Sequence, residues 1–242
     1  MLVSSRFFLT GRSAVTAIVI AIAAQGCSTA AIVPAPSAVV APENRFESEI
    51  LAFEDSDRVN PPTPGGIVFV GSSSIRLWPD LRSYFAGLNV IQRGFGGSRL
   101  DEVVHYTPRV VLPYKPKLVV LYAGENDIAE GRTPTQVFAA YTEFVRLVRR
   151  ALPDGRIAFI SIKPSPSRWE LVDKMRAANE MIQHYVTTHA DQKYVDVFSP
   201  MIGANGRPRP ELFVSDSLHM TRAGYAIWRQ LLAPIISEAQ GH

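Results

Sequence analysis

Five short apolar runs, each closing on small or polar residues, constrain this chain more than any other feature. Ile67–Val70 ends at Gly71, Val90-Ile91 leads into Gly94, and Leu118–Tyr122 ends at Ala123-Gly124. Ile157–Ile162 ends at Lys163-Pro164, and Tyr194–Phe198 ends at Ser199-Pro200. Runs of this kind predict strands covered on both faces, as in a parallel sheet. Between them lie helical patterns over Thr135–Ala151, Trp169–His189 and Arg222–Ala239. In the first, Val137, Tyr141, Phe144, Val145 and Val148 share one face, and Thr133-Pro134 supplies an N-cap and a first-turn proline. Strands alternating with helices predict an α/β fold: a three-layer α/β/α domain with a five-stranded parallel sheet.

In open sheets of this class ligands bind beyond the carboxyl ends of the strands. The residues there are Gly71-Ser72-Ser73-Ser74, Gly94-Phe95-Gly96-Gly97 and Gly124-Glu125-Asn126-Asp127, with Asp216-Ser217-Leu218-His219 in a late loop. Small and polar residues therefore gather at one edge.

Several chemistries fall away. Gly66–Gly71 has the spacing of a phosphate loop, but Ser72 stands where Lys is needed. Gly94-Phe95-Gly96-Gly97 opens like a dinucleotide fingerprint, but Arg99 occupies the third glycine position. His184 and His189 are five apart on a helical pattern and face different ways, while His105 and His242 have no neighbouring ligand in sequence. No cofactor and no metal site is expected. The only cysteine is Cys27, which excludes an internal disulfide and a thiolate zinc cluster. Net charge is +3, and without residues 1–26, which contain Arg6 and Arg12, 23 basic and 22 acidic side chains leave +1. No basic stripe remains for nucleic acid.

Nucleophilic catalysis survives. A serine hydroxyl attacks only when a base, commonly a histidine oriented by a carboxylate, takes its proton. Ser73 falls on a strand-to-helix turn, where free N–H groups face developing negative charge. Asp216 and His219 are three apart, so one local turn brings carboxylate to imidazole. Gly97 and Asn126 follow the second and third runs.

Phe69–Trp78 (FVGSSSIRLW), Arg93–Ser98 (RGFGGS), Gly124–Asp127 (GEND) and Asp216–His219 (DSLH) resemble, in order, the four signature blocks of the SGNH/GDSL hydrolases. The resemblance spans about residues 60–235. It implies a flavodoxin-like sheet and hydrolysis of carboxylic esters. Carried over by residue, Ser73 is the nucleophile, His219 the base and Asp216 its partner. The oxyanion hole comes from the backbone N–H groups of Ser73 and Gly97 and the side-chain amide of Asn126. Two positions depart from the family pattern. Ser72 replaces the usual Asp, and the register of the strand and Gly71 selects Ser73 over Ser72 and Ser74. Glu125 stands where a small residue is common and is expected to be a solvated loop carboxylate. The loop Lys163–Trp169 is expected to wall the cleft, with Trp169 and Phe95 as substrate-wall residues, each also readable as core. No long insertion offers a lid, so an open site for short acyl groups is expected. The substrate is a lipid-type or small ester; the alternatives are acetylated polysaccharide, or a membrane-tethered binding protein with a dead site.

The N-terminus carries a targeting pattern. A short basic segment precedes the apolar stretch Ala14–Ala24, about eleven residues, too short to span a bilayer but matching the core of a signal peptide. Gln25-Gly26-Cys27 resembles a bacterial lipoprotein box, although Ala24 stands where Leu is usual. Residues 1–26 are read as a leader, Cys27 as the lipidated residue and 27–42, rich in Ala and Pro, as a tether to the domain at 43–242. Cleavage near Ala30 without lipidation is the alternative. Export follows from either reading, with a membrane anchor facing the periplasm or cell surface in the first.

Overall fold

The computed structural model describes residues 44–239. The leader, the tether and Cys27 lie outside the described residues. The strands are β1 (Ile67–Gly71), β2 (Val90–Gly94), β3 (Leu118–Tyr122), β4 (Arg156–Ile160) and β5 (Gln192–Val195), all parallel, in the order β2-β1-β3-β4-β5. They alternate with α1 (Glu47–Val59), α2 (Ser73–Arg76), α3 (Leu81–Tyr84), α4 (Leu100–Val110), α5 (Glu125–Ala129), α6 (Pro134–Ala151), α7 (Val172–Thr187) and α8 (Arg222–Glu238). The expected three-layer fold is the observed one.

Alternation along each strand divides the core in two. Val68 and Val70, Val119 and Leu121, and Ile157 and Phe159 pack with Ile50 of α1, Val103 of α4, Phe144 of α6 and Ile182 of α7. Ile67 and Phe69, Leu118 and Val120, and Ala158 and Ile160 pack on the other face with Trp78, Leu81 of α3 and Trp228 of α8. The helix α6 begins as its sequence dictates: Thr133 accepts from the Gln136 N–H at 3.2 Å while the Gln136 side chain accepts from the Thr133 N–H at 2.9 Å.

Strand ends differ from the expected ones for local reasons. The fourth run stops at Ile160 rather than Ile162, because the buried Asn179 amide takes both the N–H (2.8 Å) and the carbonyl (2.9 Å) of Ile162. The fifth strand begins at Gln192 and ends at Val195; Val197 and Phe198 turn away and donate to Ser161 Oγ. The helical pattern from Trp169 opens instead as a 3₁₀ turn, Pro166–Leu171, before α7.

The order β2-β1-β3 reverses direction between β1 and β3, and the crevice at such a switch point is where open α/β sheets bind ligands. Ser73 follows one of these strands and Asn126 the other.

Candidate active site

The chain leaves β1 at Gly71, whose φ of +140° and contact with the Tyr122 carbonyl leave no room for a Cβ. Ser72 then donates its N–H to Tyr122 O at 3.0 Å, and Ser73 opens α2. Its N–H is at a helix start, without an intrahelical acceptor. Beyond β2, Phe95 N–H bonds Gly71 O at 2.9 Å, which holds the second loop against the first. Gly97 follows with φ +85°, and open space lies where its Cβ would project.

The late loop is folded by its own carboxylate. Asp216 Oδ1 accepts the N–H groups of Leu218 and His219, both at 2.8 Å. Its Oδ2 lies 2.6 Å from His219 Nδ1, and His219 Nε2 lies 3.0 Å from Ser73 Oγ. With the proton on Nδ1 held by Asp216, Nε2 is free to accept from the serine hydroxyl. Burial pushes the Asp216 carboxyl up, but the His219 side chain and the two backbone donors outweigh it and hold it at about 2. The structure thus brings Ser73, Asp216 and His219 into one hydrogen-bonded chain.

Asn126 occupies the adjoining wall. Its Nδ2 donates to Ser98 O at 3.0 Å, and its Oδ1 accepts from Arg168 Nη1 at 3.0 Å. Nδ2 carries two hydrogens, so one remains for a ligand. Next to it, both oxygens of the buried Asp127 accept the Leu100 N–H at 3.0 Å. Burial pushes the Asp127 carboxyl up to about 7. Consecutive residues of α5 therefore hold the chain just past Gly97, at Ser98 and Leu100.

Two expectations are corrected. Glu125 is not a solvated carboxylate but is 4% exposed. It accepts from Lys163 Nζ at 2.5 Å, from Ser165 Oγ, and from Tyr122 Oη at 2.8 Å. Burial alone would raise its pKa; Lys163 and Arg168 more than reverse this and bring it below the ordinary value. Phe95 is not a substrate wall. It is fully buried, edge-on to Phe46 at 5.1 Å and Tyr106 at 5.8 Å between ring centroids. Trp169 is half-buried on the 3₁₀ turn, with the guanidiniums of Arg176 and Arg207 5.9 and 5.2 Å from its ring centre. The cleft of about 710 Å³ lined by Tyr84, Phe85, Ile227 and Arg229 includes none of these site residues.

The sequence reading placed the loop Lys163–Trp169 at the cleft but gave Lys163, Ser165 and Arg168 no roles of their own. A signal existed: Lys163 comes three residues past the buried run Ile157–Ile160, where an ammonium needs a carboxylate, and β4 pairs with β3, after which Glu125 comes.

A five-stranded parallel α/β sheet carrying these serine, glycine, asparagine and histidine blocks at its carboxyl edge defines a hydrolase of the SGNH class. The chain belongs to the GDSL-like lipase/acylhydrolase family, whose model matches residues 68–227. It is similar to platelet-activating factor acetylhydrolase IB subunit alpha2 of Homo sapiens and of Rattus norvegicus, at 24% identity over 84% of this chain and 88% of each relative. Among solved structures it is similar to a GDSL-like lipase from Bacteroides thetaiotaomicron (TM-score 0.70, 22% identity, 79% of this chain and 98% of that one). It is also similar to an acetylxylan esterase from Geobacillus stearothermophilus (TM-score 0.56, 14% identity, 72% and 95%).

Proposed function

We propose that the chain is a serine esterase that cleaves short-chain, foremost acetyl, esters of lipid-type or small alcohols through an acyl-enzyme on Ser73. The observation that carries this reading is the chain from Asp216 through His219 to Ser73, with steps of 2.6 and 3.0 Å. His219 Nε2 takes the Ser73 proton as Oγ attacks the ester carbonyl. The oxyanion meets the N–H groups of Ser73 and Gly97 and the remaining Nδ2 hydrogen of Asn126. His219 then protonates the leaving alcohol. Water, deprotonated by His219, attacks the acyl-enzyme; as the acid leaves, His219 returns that proton to Ser73 Oγ. Asp216, held ionised, keeps the imidazole in the required tautomer and balances its charge.

The relatives bear the words acetylhydrolase and acetylxylan esterase in their names, which supports acetyl as the acyl group and makes acetylated polysaccharide the second reading. Arg6, Arg12, the apolar Ala14–Ala24 and Cys27 support an exported, lipid-anchored enzyme.

The test is a series of p-nitrophenyl esters from acetate to decanoate, run beside acetylated xylan. Fastest turnover is expected on acetate or propionate. Faster turnover on long chains overturns the short-acyl reading, and acetate release from xylan alone selects the polysaccharide reading. Asn126→Ala is expected to lose on the order of 10²–10³ in kcat.

A further inference from the structure

We infer that Arg168 is a positioning residue that sets the amide of Asn126 in the one orientation able to receive an oxyanion. The inference rests on the role proposed for Asn126. An asparagine side chain has two orientations related by a half-turn, and only its neighbours choose between them. Here a donor faces one end and an acceptor the other. Arg168 Nη1 donates to Oδ1 at 3.0 Å, and Ser98 O receives from Nδ2 at 3.0 Å. The turned amide would set its NH₂ against the guanidinium and its oxygen against the Ser98 carbonyl, losing both bonds. Arg168 therefore fixes which atom faces the oxyanion. Its charge also polarises the amide and strengthens the remaining Nδ2 hydrogen as a donor.

Arg168 is itself held. Its N–H bonds Ser165 O at 3.1 Å, and Ser165 Oγ is fixed by Glu125. The guanidinium side chain is only 20% exposed. One residue earlier, Ser167 N–H donates to Ser217 O at 3.1 Å, inside the turn that joins Asp216 to His219. The strap from Lys163 to Arg168 thus touches both the oxyanion wall and the acid–base loop. Neutralising Glu125 is not the main task of Arg168, since it stands 3.9 Å from that carboxylate while Lys163 stands at 2.5 Å.

The experiment compares the parent, Arg168→Met, Asn126→Ala and the double variant on p-nitrophenyl acetate, with Tm measured for each. Arg168→Met is expected to lower kcat about 10–100-fold, the scale of a misplaced reacting group, with KM within about threefold of the parent. In the Asn126→Ala background the same change is expected to alter kcat by less than about threefold, because its effect passes through the missing amide. Arg168→Gln, which keeps a neutral donor, repeats the comparison in milder form: a smaller loss than Met in the parent and none without Asn126. A loss of equal size in both backgrounds, or no loss in the parent background while Asn126→Ala is crippled, overturns the inference. Full kcat in Asn126→Ala alone overturns instead the role proposed for Asn126, and the inference with it.

Discussion

Lys163 Nζ and Glu125 Oε2 stand 2.5 Å apart at the carboxyl end of the sheet, with side chains 1% and 5% exposed. A buried pair is a weak source of net stability, but removing one partner strands the other without water. Lys163→Met is therefore expected to destabilise the fold by about 3–5 kcal/mol. The double variant with Glu125→Gln is expected to recover part of the loss. Urea unfolding measures both. A Lys163→Met variant within about 1 kcal/mol of the parent contradicts the buried-pair account.

Asp127 gives a pH signature of the opposite sense to an ordinary ion pair. Its folded pKa of about 7 lies above the unbound value of 3.8, so between those values the folded state holds more protons than the unfolded one. From this group stability falls as pH rises from about 4 to about 7. Asp127→Asn, which still accepts from Leu100, is expected to flatten that slope and raise Tm at pH 8. Thermal melts at pH 5, 6, 7 and 8 test this; an unchanged slope rules it out.

The sign reverses at Asp216. Its pKa, held at about 2 against an ordinary 3.8, adds stability that is present above pH 4 and is lost as pH falls toward 2. Carboxyl carbon NMR is expected to place its titration near pH 2, and Asp216→Asn is expected to lose on the order of 10³–10⁴ in kcat. A midpoint near 4 would mean that the bonds to His219 and Leu218 do not persist in solution.

The two aromatic residues first read as substrate walls are expected to separate cleanly. Phe95→Ala opens the core between α1 and α4 and is expected to cost about 3–5 kcal/mol in stability. Trp169→Ala, on a half-buried turn, is expected to cost about 1 kcal/mol or less. Equal unfolding midpoints for the two variants refute the distinction.

The Asp216–His219 contact was legible because both residues sit in one short self-contained turn, and Ser73 because it follows a strand; the parts given to Gly97 and Asn126 came from the resemblance of their blocks to the family. Glu125 was misread because its partners, Lys163 and Ser165, arrive 38 and 40 residues later and meet it only through the β3–β4 pairing. Phe95 was misread for a related reason. Its ring packs under Phe46 and Tyr106, near α1 and in α4, neither of which the apolar spacing had marked as a helix. The strand ends moved where a side chain distant in sequence, Asn179 or Ser161, captured backbone groups that would otherwise have extended the ladder.

The most direct test of the central claim is the intact mass of the folded protein after treatment with a fluorophosphonate, followed by peptide mapping of the adduct. One adduct is expected, on Ser73, and it disappears in Ser73→Ala while Ser72→Ala and Ser74→Ala keep it. An adduct on any other residue, or none on folded parent protein, contradicts the account.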